Sequence, residues 1–374
     1  MRSQTPQTVS QQSDIKHQPS SLALCLYKYF PHRGLQRDML RIALACRARG
    51  HTVEIYTTSW AGARPASLRL HLYRPRALTN HGRMRQYHAW LARRLRENPP
   101  ACVVGFNKLP GLDVYYAADG CYQAKAQEQH GLLCRLLPRD RWYQRFENAV
   151  FGADARTQIL MLSPIQEALY VRCYGTPADR IHRLPPNVAR DRLAGPDAPQ
   201  IRGTVRRELG LGDQDKLLLQ LGSGFRTKGL DRSLRALAAL PQPLRARTRL
   251  CVVGNDNERP YVRLARRLGV AERVVFLGPR DDVPRLLIAA DLLVHPAYHE
   301  NTGTVLLEAL AAGLPVIASG VCGYAHYVEQ AQAGWVLPEP FAPDRFHRTL
   351  HEALERRDLS DFGHRGADFA QKED

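Results

Sequence analysis

The segment DLLVHPAYHENTGTVLLEALAAGLPVIAS, residues 291–319, decides the architecture. DLLVHP (291–296) and LPVIAS (314–319) are unbroken apolar runs of strand length, and between them apolar residues recur at helical spacing over about 303–312. Strand, helix and strand in so short a stretch make a unit of parallel α/β structure. Working backwards, KLLLQLG (216–222), LCVVGN (250–255) and RVVFLG (273–278) are further strands, with helices expected at about 230–240, 260–269 and 281–290. The first half repeats the plan with SLALCLYKYF, HTVEIYT, ACVVGF (101–106) and QILMLS, whose Ser163 caps a helix opening at Pro164. Between the halves lies LPPNV at 184–188, where two prolines interrupt both patterns. The expected fold is α/β: a tail at 1–20 and two Rossmann-like, doubly wound domains, 21–185 and 186–374, facing each other across a cleft. Ligands of such sheets sit at the carboxyl ends of the strands, so the cleft is the expected site.

The length of 374 residues suits two cores, and 44% hydrophobic with 24% charged residues excludes a disordered or collagen-like chain. The net charge of +17 is concentrated: residues 20–185 hold 25 Lys and Arg against 11 Asp and Glu, whereas residues 186–374 hold 26 against 24. Eight scattered cysteines without a Cys-x-x-Cys pair argue against a zinc site or a disulfide framework. The Gln/Ser-rich first twenty residues lack the apolar core of a signal peptide, and no segment reaches the length of a membrane span. A cytoplasmic protein is expected.

Three motifs carry chemistry. In the deciding segment, a polar loop ends at Asn301-Thr302-Gly303 and a helix starts near Thr304, presenting N–H groups and a positive dipole end to an anion. Glu300 precedes that helix and Glu308 lies on it among Leu306, Leu307, Ala309 and Leu310, company in which a carboxylate has a specific partner. The blander alternative makes Glu300 a helix cap and Glu308 a solvated face. The second motif, LGSGFRTKGLDRS at 221–233, is a strand end and glycine turn followed by Arg226, Thr227 and Lys228, suited to a phosphate but unlike either common glycine-rich phosphate loop. The third, YKYFPHRGLQRD at 27–38, turns through Gly34 into a helix whose first N–H groups can cap the same diphosphate; Asp38 serves either that site or only its own helix. Together they describe a nucleoside diphosphate held between positive elements. Asp213-Gln214-Asp215 is expected as a surface turn and not as a metal site.

These residues resemble glycosyltransferase family 4 enzymes of GT-B fold. CLYKYFP, GLQRD, TNHGR, FNKLPGLDVYYAAD, GLDRS, HPAY and VCGYAHY are similar, more closely, to the lipopolysaccharide core α-1,3-glucosyltransferases of Gram-negative bacteria, from residue 22 to about 357. The resemblance implies transfer of glucose from UDP-glucose to a heptose of the phosphorylated inner core with retention, without a cofactor or metal. It implies that Glu300 holds donor sugar hydroxyls, that Glu308 binds the ribose and that Arg280 lies at the uracil. Arg226 and Lys228 would stabilise departing UDP, with Arg192 assisting. Thr227 and the Asn301, Thr302, Gly303, Thr304 string join the donor site, and Asp119 is the acceptor-side contact. Another UDP-sugar, such as UDP-N-acetylgalactosamine, is the near alternative, with His299, Asn301 and Thr302 deciding. The sequence departs from the family where Arg33 precedes Gly34 and where the loop reads Phe-Arg-Thr-Lys, and with DFAQKED as its last residues the helix that crosses back to the first domain is expected to be missing.

The basic first half is expected to address the enzyme to anionic lipid on the inner face of the inner membrane. Nine arginines and no acid lie between Glu54 and Glu97, and residues 123–151 interleave leucines and aromatics with basic groups. A helical insertion packed on its own domain is the alternative for 123–151, and His81 in TNHGR is either a contact to sugar hydroxyls or satisfied within its loop. A nucleic-acid-binding protein would share the charge but leave the 295–319 string unexplained, so no nucleic-acid partner is expected.

Overall fold

The computed structural model describes residues 19–31, 34–131, 137–185 and 192–372, with the side chains of Gln129 and His130 left aside. Most of the tail at 1–20, together with Arg33, Arg135 and part of the 184–188 junction, lies outside the described residues. The first half builds a parallel sheet from β1 (Ser21–Cys25), β2 (Thr52–Thr57), β3 (Arg69–Leu72), β4 (Cys102–Gly105), β5 (Val114–Ala117), β6 (Gln158–Met161) and β7 (Ile181–Arg183), in the order β3-β2-β1-β4-β5-β6-β7. Its helices are α1 (Gly34–Ala48), α2 (Asn80–Glu97), α3 (Tyr122–His130), α4 (Pro138–Phe151) and α5 (Pro164–Tyr174). The second half builds another from β8 (Lys216–Leu221), β9 (Thr248–Val253), β10 (Val274–Gly278), β11 (Leu292–His295), β12 (Val316–Ser319) and β13 (Gly334–Leu337), ordered β10-β9-β8-β11-β12-β13. Around it lie α6 (Ala198–Glu208), α7 (Leu230–Ala239), α8 (Gln242–Ala246), α9 (Arg259–Arg267), α10 (Val283–Ala289), α11 (Thr304–Ala311), α12 (Ala325–Gln330), α13 (Pro343–Glu355) and α14 (Leu359–Lys372).

Both sheets therefore run outward from a first strand and then restart on its other side. Each has one switch point, between β1 and β4 and between β8 and β11, where neighbouring loops leave in opposite directions and open a crevice. Leucine- and valine-rich central strands bury both faces: β8 packs Leu217 and Leu219 on one side and Leu218 on the other.

Four strands, β3, β5, β7 and β13, carry no strand signal in the sequence reading above. Three of them close a sheet at its edge, where one side of the ladder meets solvent and a short half-exposed strand has no reason to be apolar. The fourth, VYYA, is central but lies between two aspartates in a loop-like string. Ser163 caps α5 through the Gln166 N–H at 3.4 Å, and Pro164 opens the helix. Asp215 accepts the Gly212 N–H at 2.7 Å, holding a turn ahead of β8. The last helix, α14, lies on α11, with Gly363 packed so closely on the Gly313 carbonyl that no side chain fits.

Candidate active site

At the second sheet's switch point the loops after β8 and β11 meet. Gly229, at φ 71°, starts α7, and a side chain there would run into the carbonyl of Pro296. The backbone is stitched across: Tyr298 N–H donates to the Thr227 carbonyl at 2.8 Å. Arg232, in the first turn of α7, lies between the rings of Tyr298 and Phe341, 3.6 and 3.7 Å from their centroids. It donates to the Pro296 and Ala297 carbonyls at 3.1 and 3.0 Å. The two loops thus form one rigid platform.

The platform brings Lys228 and Glu300 together. The Lys228 ammonium contacts Glu300 Oε2, and the same oxygen accepts from His295 Nε2 at 3.1 Å. Burial alone would raise the Glu300 carboxyl, but the His295 hydrogen bond and the Lys228 charge bring it down to about 2, so it is an anion at any working pH. His295 is fully buried at the end of β11, and burial holds it below the ordinary histidine range despite the carboxylate beside it. A neutral ring that donates from Nε2 leaves Nδ1 bare, and Nδ1 has no hydrogen-bond partner among the described residues. Glu300 is therefore neither a helix cap nor a solvated acid. The cap of α11 is Gly303, at φ 81°, where a Cβ would press on Glu300 Cγ at 3.3 Å.

The other expected residues are arranged around this pair. Arg226 and Thr227 lie exposed on the β8 loop, and Thr304 opens α11. Thr302 accepts the Tyr324 N–H through its carbonyl at 2.7 Å. Arg280 stands at the carboxyl edge beyond β10, paired through Nε and Nη2 with Asp282 at 2.7 Å each. Gly34 opens α1 with nothing near the position of a side chain. Glu308 is no solvated face: Arg37 of α1 reaches it at 3.3 Å and Arg192 at 3.9 Å, joining the two domains. Asn301 also crosses, its Nδ2 donating to the Ala118 carbonyl while Oδ1 has no partner among the described residues. Next to Ala118 is Asp119, whose carboxyl is pushed up by burial against the pull of Lys108 and with Glu147 adding to the rise. Asp38 does not serve only its own helix: it lies beyond the first turn of α1, and its carboxylate accepts from the Tyr116 hydroxyl of β5 at 3.2 Å. His81 meets Thr79 Oγ1 at 3.3 Å in the first turn of α2.

Five contributing residues carry no role in the sequence analysis: His295, Arg37, Arg232, and the pair Lys108 and Glu147. Glu147 is fully buried on α4 and takes Lys108 Nζ at 2.6 Å, the N–H groups of Tyr122 and Gln123 at 2.7 and 2.8 Å, and the Tyr174 hydroxyl at 2.6 Å. It fixes the start of α3 and, through Lys108, the loop behind Asp119. His295 alone had a visible signal, a histidine ending an apolar strand five residues before Glu300. Among the described residues no cluster of three His, Cys, Asp or Glu is placed to hold a metal ion.

The model for Glycosyltransferase Family 4 matches residues 32–192, and that for Glycosyl transferases group 1 matches 202–367. The chain belongs to glycosyltransferase family 4. The lipopolysaccharide glucosyltransferase WaaG of Escherichia coli (strain K12) is 48% identical over 338 residues, 90% of each chain. A crystal structure of WaaG, described as a glycosyltransferase involved in lipopolysaccharide biosynthesis, superposes with a TM-score of 0.89 at 46% identity over 94% of this chain and 95% of that one. The Anabaena protein Alr3699/HepE in complex with UDP and glucose shares the fold, with a TM-score of 0.71 at 18% identity and 95% coverage of both chains. The family 4 enzyme described here thus has the two facing Rossmann-like domains of GT-B transferases.

Proposed function

We propose that this glycosyltransferase moves glucose from UDP-glucose to a heptose of the lipopolysaccharide inner core, in α-1,3 linkage and with retention. The observation that carries the proposal is the Lys228–Glu300–His295 constellation at the switch point, in a chain 48% identical to a lipopolysaccharide glucosyltransferase. A carboxylate held ionised, with His295 behind it, is suited to accept hydrogen bonds from donor-sugar hydroxyls. Lys228 and Arg226 meet the diphosphate, helped by the N-terminal ends of α11 and α1. Glu308 takes the ribose hydroxyls once they replace Arg37, Arg192 stands beside it, and Arg280 borders the uracil. The acceptor oxygen bonds to the anomeric carbon as the bond from that carbon to the phosphate oxygen breaks. The acceptor's proton passes to the departing phosphate on the same face. Cations and helix ends absorb the developing negative charge, so the proposed step uses no metal and no dedicated base. Asp119 orients the acceptor hydroxyl.

We further propose that the enzyme works on the inner face of the inner membrane, held peripherally by residues 123–151. Phe146 is buried in the first domain's core with Trp142 packed against it, as the packed-insertion alternative expects, so the membrane reading is supported by the basic groups alone: Arg139, Arg141 and Arg145 are exposed along α4, consistent with attraction to anionic headgroups. Among the described residues no helix is long and apolar enough to cross a membrane. The test is UDP release over a panel of UDP-sugars with a heptose-terminated core acceptor, and the anomeric configuration of the product. UDP-glucose is expected to be the preferred donor and the product α-linked. Preference for UDP-N-acetylgalactosamine, or a β-linked product, overturns the assignment.

A further inference from the structure

The loop 73–79, between β3 and α2, holds its most apolar side chain out in water. Leu78 is 94% exposed, and the backbone around it is fixed. The N–H groups of Arg76 and Ala77 both donate to Gln86 Oε1, at 2.8 and 3.1 Å. Arg83 Nε donates to the Ala77 carbonyl at 2.7 Å, and Thr79 caps α2 through the Gly82 N–H at 3.2 Å. At the other end Tyr73 stacks on Trp90. A loop tied at so many points is not free to fold Leu78 inward.

The neighbouring helix points the same way. Arg85 of α2 lies over the Trp142 ring of α4 at 5.5 Å, and further along both helices His88 meets Phe146 at 5.3 Å. The helices therefore run side by side in the same direction, and their N-terminal ends share one edge of the domain. Leu137, 40% exposed, immediately precedes α4 there, as Leu78 closely precedes α2. Exposed Arg74 and Arg76 lie within four residues of Leu78 in the chain, exposed Arg139 and Arg141 within four residues of Leu137, and exposed Arg85 lies over Trp142 between the two helices. The acid within this stretch of α4, Asp140, is buried and accepts from the Tyr122 hydroxyl at 2.6 Å, so it does not offset them at the surface.

We propose that Leu78 is a membrane-insertion point outside residues 123–151, which enters the acyl region of an anionic bilayer while the arginines near it meet the headgroups. A protruding apolar tip with cations near it is complementary to negative headgroups over a hydrocarbon layer. The inference rests on the membrane reading of the first half and adds to it a defined contact and orientation, with the N-terminal ends of α2 and α4 toward the lipid.

The test is flotation of the full chain with vesicles of phosphatidylethanolamine and phosphatidylglycerol, and with vesicles of phosphatidylcholine alone. Leu78→Asp is expected to weaken binding to the anionic vesicles by about tenfold or more, since burying a leucine carries that much free energy. It should leave the melting temperature and UDP binding unchanged, because Leu78 packs against little of its own fold. Leu78→Trp is expected to retain binding and to add fluorescence that brominated lipid quenches. Tight binding by Leu78→Asp overturns the insertion point while leaving the membrane reading intact, and so does added fluorescence that stays unquenched in the vesicle-bound Leu78→Trp variant. Failure of the parent chain to bind anionic vesicles overturns both. A chain whose self-association is lost in Leu78→Asp with vesicle binding intact assigns Leu78 to a contact between copies and also overturns the proposal.

Discussion

Lys228→Met removes a charge but keeps an unbranched stem, so it separates the electrostatic role of Lys228 from its packing. The Glu300 carboxyl is brought from 4.5 to about 2, which is about 3 kcal/mol in favour of the anion, obtained against the cost of burial. His295 and Lys228 share that contribution. Losing Lys228 then costs roughly 1–2 kcal/mol of stability, which lowers the melting temperature of a domain this size by roughly 2–8 °C. The effect on turnover is expected to be larger. A fixed cation that meets the departing diphosphate acts where charge develops, and removing one such donor lowers kcat by about 10²–10³. Arg226 and the helix ends remain, so UDP affinity should fall less than kcat. The assays are steady-state UDP release, calorimetric UDP binding and thermal unfolding of the same preparation. If the melting temperature falls as expected but kcat stays within about threefold of the parent, Lys228 only supports Glu300 and does not meet the diphosphate.

Gly229→Ala forces a side chain at φ 71° into the Pro296 carbonyl, so the loops must separate; kcat should fall by at least about tenfold with the far-ultraviolet circular dichroism unchanged. Glu147→Ala leaves the Lys108 ammonium and two N–H groups without their acceptor, and should cost about 3–5 kcal/mol in a denaturant titration. Acid lability follows from two groups. Glu300 is held below its unfolded value of 4.5, so its contribution is complete above that pH and is lost as pH falls toward 2. His295 is held below its ordinary 6.5, so as pH falls past 6.5 the unfolded chain takes up the proton first and stability declines. In His295→Gln the decline just below pH 6.5, followed by equilibrium unfolding, should be shallower than in the parent.

The legibility of this chain followed burial. Central strands such as KLLLQL and LCVV are enclosed on both faces and had to be continuous apolar runs, so they stood out; Arg69–Leu72 and Ile181–Arg183 close a sheet and did not. The two site glutamates were legible because a short loop and one helix fix their separation. What each touches was not, because the partners come from elsewhere in the chain. Glu308 meets Arg37 from 271 residues away, and Lys228 lies 72 residues from Glu300. Pairings of that kind are set by which strands neighbour each other at the switch point, which is a property of the sheet and not of any local pattern. Glu147 shows the limit most clearly: within an arginine-rich segment it reads as one more surface charge, yet it is the most enclosed acid of its helix network.

The charge asymmetry takes on a physical meaning from the same contrast. In the second half, cations are matched at short range. Arg206 and Arg202 share Asp291, Arg285 meets Glu208 and Asp282, Arg356 meets Asp358, and Lys228 meets Glu300. These pairs fix loops and helix ends, and their fields largely cancel beyond a few ångströms. Some arginines of the first half also work internally, as when buried Arg180 donates to the carbonyls of Val150, Thr157, Phe151 and Gly152 around the end of α4. Those on the outer faces of α2 and α4 differ in having few acids to answer them among the described residues, where Glu97 takes Arg93 and Arg94 at the far end of α2. An uncancelled field therefore remains at the N-terminal ends of both helices, the edge where Leu78 protrudes. Salt should consequently weaken the proposed vesicle binding while leaving the Lys228–Glu300 ion pair, largely shielded from solvent, nearly unaffected.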